Sequence, residues 1–321
     1  MKKSIENKYI SFLLTIFSTI LCIFGAEIFL RLKNSTSLNY DVEMTRYSNL
    51  LKVKSQNEIM DFEHKKNANA KLQGVNIRIN KYGLRGGEVK NFDLIDRRII
   101  VLGGSVTLGW GVEENFTMTS VLEEMFKKDS KNVEVLNAGI GNYNSERYVE
   151  RFFENLEVLK PTDILVNYFL RDAEILFPAK QNYFLKNSQL ALTLWLASNR
   201  FNNSGGKNSV YEHYKRVYSN TKGINIMKKS LKRLSDYAKS NNINLYMLIT
   251  PDITNISNYR LNDVHDLIKS ISNDLGYISV DSLQGLRNFK KEELFAMPGD
   301  PHPNNIGHKV MAETIYPVIS K

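Results

Sequence analysis

A chain of 321 residues with 42% hydrophobic content is long enough to bury one large α/β core with extensions. Its formal charge of +9 comes from lysines and arginines scattered along the chain, which argues against the dense basic arm of a nucleic-acid binder and suits a surface near anionic lipid or glycan. The single cysteine, Cys22, lies in an apolar run, so a disulfide framework and a cysteine-based metal site are both excluded.

Tyr9 to Leu32 reads YISFLLTIFSTILCIFGAEIFLRL, with Glu27 as its interior charge. At ~1.5 Å per residue this run covers the ~30 Å hydrocarbon core of a bilayer and predicts a single-pass transmembrane anchor over 9–32. The run is longer than a signal-peptide core and lacks a small-x-small cleavage site. Leu21 before Cys22 also rules out a lipoprotein signal. Glu27 and Arg31 are spaced to pair one turn apart, which lowers the cost of an acid at that depth. Lys2, Lys3 and Lys8 precede the run while Arg31 and Lys33 follow it. That balance leans toward a cytoplasmic tail at 1–8 and a body on the extracytoplasmic side of the cytoplasmic membrane.

Residues 33–75 are polar and weakly patterned and predict a stalk or linker ahead of a domain over 76–321. From Arg97, apolar runs alternate with helical patterns: RRIIVLGGS, VLEEMF, VEVLNAG, YVERFFENLEVL, DILVNYFL, then IMKKSLKRLSDYAK, INLYMLIT, VHDLIKSISNDL, YISVDS and a last helix from about Ile306. This is the rhythm of βαβ units and predicts a doubly wound domain with five parallel strands, its catalytic groups at strand C-terminal ends. Residues 173–222, including LALTLWLASNRF and FNNSGGKNS, are too long for an ordinary loop and predict an inserted cap over the cleft or against the membrane.

The first strand runs into Ser105 beside Gly103 and Gly104, followed by a helix expected from about Phe116. Such a turn exposes a serine hydroxyl, although a structural turn or a phosphate loop would also use glycines there. Neither a Gly-x-Gly-x-x-Gly nor a P-loop Lys-Ser/Thr is present. The second strand ends in NAGIGNYN, residues 137–144, a turn whose amides near Ser105 would serve an oxyanion hole. At the tip of the third strand Arg171, Asp172 and Glu174 form either an ion-pair cluster or part of a substrate site.

The stretch DPHPNNIGH from Asp300 supplies the remaining parts of a serine triad. His302 is a base with a pKa suited to taking a hydroxyl proton, and Asp300 is placed to hold its tautomer. Pro301 and Pro303 stiffen the loop, Asn304 or Asn305 caps the closing helix, and His308 falls in that helix's first turn. A metal reading would join His302, His308 and Asp300, but the histidine spacing is neither i,i+3 nor i,i+4 and no further His or Cys joins them, so no metal is expected.

The order GGS at 103–105, NAGIGNYN, Asp172 after the third strand and DPHPN resembles the SGNH (GDSL-like) hydrolase superfamily. The closer resemblance is to its bacterial membrane-anchored members, which share an AEIFLRL-like end to an apolar helix and an Asn-x-x-Gly-x-Arg element, here NKYGLRG at 80–86. The resemblance implies a flavodoxin-like three-layer α/β/α domain after the anchor, with Ser105 as nucleophile, His302 as general base and Asp300 as its orienting acid. It implies oxyanion donors from the Ser105 amide, from Gly141 or the Asn142 amide, and from Arg171, which stands where the family has Asn. Gly104 replaces the family's usual Asp.

The implied activity is an ester hydrolase working through an acyl-serine without a cofactor, on an O-acylated (acetylated) cell-envelope glycan or a lipid ester. Two alternatives are an O-acyltransferase that passes the acyl group to a sugar hydroxyl, and a non-catalytic binding or assembly protein on a degenerate hydrolase fold.

Overall fold

The computed structural model describes residues 2–36, 39–178, 182–203, 210–297 and 300–321. Its helices include α1 (Lys2–Thr36), α2 (Tyr40–Leu51), α3 (Ser105–Leu108), α4 (Met118–Lys128), α5 (Ser145–Arg151), α6 (Tyr183–Asn187), α7 (Gln189–Asn203), α8 (Val210–Ser219), α9 (Thr221–Ser240), α10 (Asn262–Asp274) and α11 (Asn305–Ile319), besides single turns at Leu283–Leu286 and Lys291–Leu294. The chain folds as two compact units, Met1–Arg46 with Lys180–Lys207, and Tyr47–Ala179 with Asn208–Lys321.

The second unit is built on a parallel sheet of β1 (Arg97–Gly103), β2 (Val133–Gly139), β3 (Asp163–Phe169), β4 (Asn244–Thr250) and β5 (Ile278–Asp281) in the order β2-β1-β3-β4-β5. β1, β2 and β3 are buried along nearly their whole length, which is why their sequences are continuous apolar runs rather than alternating ones. Successive β1 residues feed opposite layers. Ile100 and Leu102 pack with Tyr148 of α5, Leu231 of α9 and Ile268 of α10. Ile99 and Val101 pack with Leu122 and Phe126 of α4 and Met311 and Ile315 of α11. The result is a three-layer α/β/α domain of the flavodoxin strand order, whose crevice opens where the order reverses, at the C-terminal ends of β1 and β3.

The helix expected from Phe116 starts instead at Met118, after a 3-10 turn at Glu114–Phe116. Thr117 delays it by capping, its side chain accepting from the Ser120 amide. The stretch expected as a stalk over 33–75 divides, and from Tyr47 onward it is part of the sheet-bearing unit. Tyr47, Leu51, Met60 and Leu72 are buried there. Two antiparallel ribbons, Lys52–Lys54 with Phe62–His64 and Asn69–Leu72 with Val75–Arg78, carry most of it. Ribbons of three or four residues are too short to show a period, so the stretch looked unpatterned.

The 173–222 insertion also divides: α7 belongs with α1 and α8 with the sheet, while residues 204–209, most of FNNSGGKNS, lie outside the described residues. In the first unit, Asn7–Ser35 is long and apolar enough to cross a membrane, a property that a signal sequence shares. Arg31 Nε is 2.6 Å from Glu27 Oε1, the pairing expected from their spacing.

Candidate active site

β1 ends at Gly103 because nothing larger fits: a Cβ there would lie 2.0 Å from Thr107 Oγ1 and 2.9 Å from the Asn167 carbonyl. The chain then turns directly into α3, a single helical turn that starts with Ser105 and stops at left-handed Gly109. Arg85 of NKYGLRG holds that turn from beneath. Its Nη1 donates to the carbonyls of Leu108 and Gly109, both at 2.6 Å, and its Nη2 to Val112 O at 2.5 Å. Burial lowers the Arg85 guanidinium to about 10, still charged at neutral pH. Asn137 adds a second brace, donating to Thr107 O at 2.8 Å and accepting from the Gly139 amide at 3.0 Å.

His302 Nε2 lies 2.8 Å from Ser105 Oγ, and His302 Nδ1 lies 2.5 Å from Asp300 Oδ1. Asp300 is fully buried on the short strand Asp300–Pro303, which pairs with Phe295–Met297. Because an ionised carboxylate can only accept, Nδ1 carries the proton and the Nε2 lone pair faces the serine hydroxyl. That is the tautomer a general base needs. Asp300 Oδ1 also accepts the His302 amide at 3.1 Å, and Oδ2 accepts Gln73 Nε2 at 3.0 Å.

Gln73 is a residue the sequence reading missed. It sits with Gly74 at the tip of a hairpin, at φ 53° and 79°, the doubly left-handed conformation of a type I′ turn. The Gln-Gly pair was a readable turn signal, but its reach to Asp300 was not.

Asn304 caps α11, accepting from the amides of Ile306 at 2.9 Å and Gly307 at 3.3 Å. His308 is fully buried and its Nδ1 accepts the Met118 amide at 2.9 Å, tying α11 to the start of α4. Burial, with Arg85 and His302 nearby, lowers it to about 3, so it stays neutral. Among the described residues no group of three His, Cys, Asp or Glu side chains is arranged to hold a metal.

The loop after β2 carries the two expected oxyanion donors. The Gly141 amide donates to Tyr47 Oη at 3.0 Å and its carbonyl accepts Lys52 Nζ at 2.7 Å, so both backbone groups of Gly141 are engaged by the scaffold. Tyr47 in turn donates to His64 Nε2 at 2.7 Å, and His64 Nδ1 donates to Gly83 O at 3.0 Å. Burial holds His64 well below its usual value and pushes the Tyr47 phenol up, so every proton in this chain is fixed. Lys52 lies over the Phe62 ring at 3.7 Å, and burial, then Arg147, lowers its ammonium well below the usual range. Asn142 is exposed at φ 66°, a left-handed position that Asn tolerates, and its amide meets no acceptor among the described residues.

The residues at the tip of β3 form a structural cluster. Arg171 is half-exposed and bound to Glu174, through Nη2 at 2.9 Å and Nε at 3.2 Å. Glu174 also meets His213 Nε2 at 2.5 Å. Burial opposes ionisation of Glu174, but Arg171 and His213 hold its carboxyl below the ordinary range. Asp172 is buried, its Oδ2 accepts the Phe169 amide at 3.2 Å, and burial pushes its carboxyl well up.

Of the two expectations for this cluster, the contacts favour the ion-pair reading: Asp172 caps the β3 turn and Glu174 pairs with Arg171. Arg171, expected as an oxyanion donor, has its guanidinium engaged by Glu174. The β2 and β3 loops are pinned together by Ser145 Oγ on Asp172 O at 2.7 Å and Asn144 Nδ2 on Glu174 O at 2.8 Å. Asn167 is inside β3 and accepts Thr250 Oγ1 at 2.6 Å.

No family model matches the sequence, and no curated protein matches it. Among solved structures, the chain is similar to a psychrotrophic esterase from Pseudoalteromonas at 15% identity and a TM-score of 0.45, over 70% of this chain and 97% of that one. It is similar to an acetyl xylan esterase at 14% identity and a TM-score of 0.45, over 69% of this chain and 99% of that one. A GDSL-like lipase from Bacteroides thetaiotaomicron matches at 13% identity and a TM-score of 0.38, over 70% of this chain and 88% of that one.

Proposed function

We propose that this chain is a serine ester hydrolase of the SGNH (GDSL-like) superfamily. The observation that carries the reading is the Ser105, His302 and Asp300 relay, closed at 2.8 and 2.5 Å at the mouth of the sheet's crevice. Ser105 Oγ attacks an acyl carbonyl as its proton passes to His302 Nε2, and the tetrahedral oxyanion is met by the amides of Ser105 and Asn142. His302 returns the proton to the departing alkoxide, which leaves an acyl-serine. Water, deprotonated by His302, attacks that ester, and the carboxylic acid departs as Ser105 regains its proton. Asp300 stays ionised throughout and holds the imidazolium.

The substrate class we propose is an O-acylated cell-envelope glycan or lipid ester. In this reading α1 spans the cytoplasmic membrane, supported by its length and exposed apolar surface, and Lys2, Lys3 and Lys8 favour the domain on the extracytoplasmic side. The reading is tested by release of acid from short-chain acyl esters. Wild type is expected to turn over, and Ser105→Ala and His302→Ala are expected to lose on the order of 10⁴-fold or more of kcat. Equal rates in all three proteins would refute it.

A further inference from the structure

Glu27 sits in the last third of the apolar span Asn7–Ser35, where an acid is costly unless its lone pairs are satisfied. Its partners come from the other half of the first unit. The carboxylate accepts the Leu190 amide at 2.9 Å, the Gln189 amide at 3.1 Å and Ser188 Oγ at 2.9 Å, besides Arg31. Arg31 Nη2 donates to Asn187 O and Asn34 Nδ2 to Gln189 Oε1, both at 2.7 Å. The first-turn amides of α7, which lack partners within their own helix, are thus capped by an acid from α1. This fixes where α7 begins along the membrane helix.

The sequence of α6 and α7 fits that depth. From Asn182 to Asn199 the chain carries one charge, Lys186, and no acid. Leu192 is buried, whereas Leu194 is 61% and Trp195 47% exposed, and Tyr183 and Phe184 of α6 are 75% and 72% exposed. These outward groups extend the exposed apolar surface of α1 within one compact unit, and Tyr and Trp are the residues that favour the boundary between headgroups and acyl chains.

We propose that α6 and α7 are a lipid-binding element that lies in the bilayer interface, with Tyr183, Phe184, Leu194 and Trp195 in the leaflet from which the C-terminal end of α1 emerges and Glu27 setting their depth. The proposal rests on α1 spanning the bilayer. The first unit is then a compound anchor rather than a simple tether.

The test uses the full chain with Cys22→Ser, reconstituted in phosphatidylcholine vesicles whose acyl chains carry nitroxides at shallow or deep positions. Single cysteines at Tyr183→Cys, Leu194→Cys, Phe17→Cys and Lys127→Cys carry a bimane fluorophore, all at exposed sites where packing is undisturbed. Positions 183 and 194 are expected to be quenched about two-fold or more by shallow nitroxides, position 17 by deep ones and position 127 by neither. Glu27→Ala is expected to weaken quenching at 194 and leave it unchanged at 17. Quenching at 17 with none above the 127 level at 183 and 194 overturns the proposal while the anchor stands, and so does shielding of 194 by a second copy of the chain. No quenching at 17 overturns the anchor and the proposal with it.

Discussion

Gln73→Leu removes a donor from a carboxylate that water does not reach. Asp300 is fully buried and Gln73 Nε2 holds its Oδ2 at 3.0 Å. A hydrogen bond to a charged group contributes about 1.5–3 kcal/mol, and losing it leaves a buried acceptor unsatisfied. If that energy orients Asp300 against His302, the same energy enters the barrier, and kcat falls by about 10- to 150-fold. KM should stay within about two-fold, since the Gln73 amide acts through Asp300. Stopped-flow acylation and steady-state hydrolysis should fall by the same factor, because both steps need the oriented imidazole. Gln73→Asn, with a shorter amide, should recover only part of the loss. A variant that melts at lower temperature but keeps wild-type kcat would show Gln73 to be a structural turn residue and would refute its positioning role.

Other substitutions separate the loops. Arg171→Asn places an amide where the SGNH family that the sequence resembles has an oxyanion donor and should raise kcat, by up to the 10²–10³-fold that one donor is worth; a fall would show that the Arg171–Glu174 pair itself is required. Gly141→Ala brings a Cβ to 2.8 Å from Tyr47 Cε1 and should displace the Asn142 amide and lower kcat about 10-fold or more, whereas Asn142→Gly keeps both the amide and the left-handed turn and should cost less than about three-fold. His308 is lowered to about 3 from 6.5, so the unfolded chain binds the extra proton first, and stability is lost as pH falls below about 6.5 and levels off near 3. By pH 4.5 that site alone accounts for about 3 kcal/mol, so urea unfolding of His308→Gln should depend less steeply on pH than wild type; parallel slopes would count against the buried neutral imidazole.

Four of the five strands were legible as mainly apolar runs buried along most of their length, and the fifth, partly exposed, by its place in the βαβ rhythm; Ser105, His302 and Asp300 were singled out because the proposed chemistry needs a hydroxyl, a base and an acid near strand ends. Tyr47, His64, Lys52 and Gln73 were not. Each is a single polar residue in a short ribbon or helix end, and its partner is remote: Gln73 and Asp300 are 227 residues apart. Hydrophobic periodicity reports local burial and carries no signal for such pairs. The bond from the Gly141 amide to Tyr47 was hidden for the same reason, since its acceptor lies 94 residues away. The ion pair at the tip of β3 was one of two readings of Arg171, Asp172 and Glu174, and which carboxylate takes the guanidinium became visible only with the β3 turn in place.

The account stands on one nucleophile. Full-length protein treated with a fluorophosphonate and mapped by peptide mass spectrometry should carry the adduct on Ser105, with no labelling of Ser105→Ala and slower labelling of His302→Ala. Absence of any adduct, or labelling that survives Ser105→Ala at the wild-type rate, would contradict it.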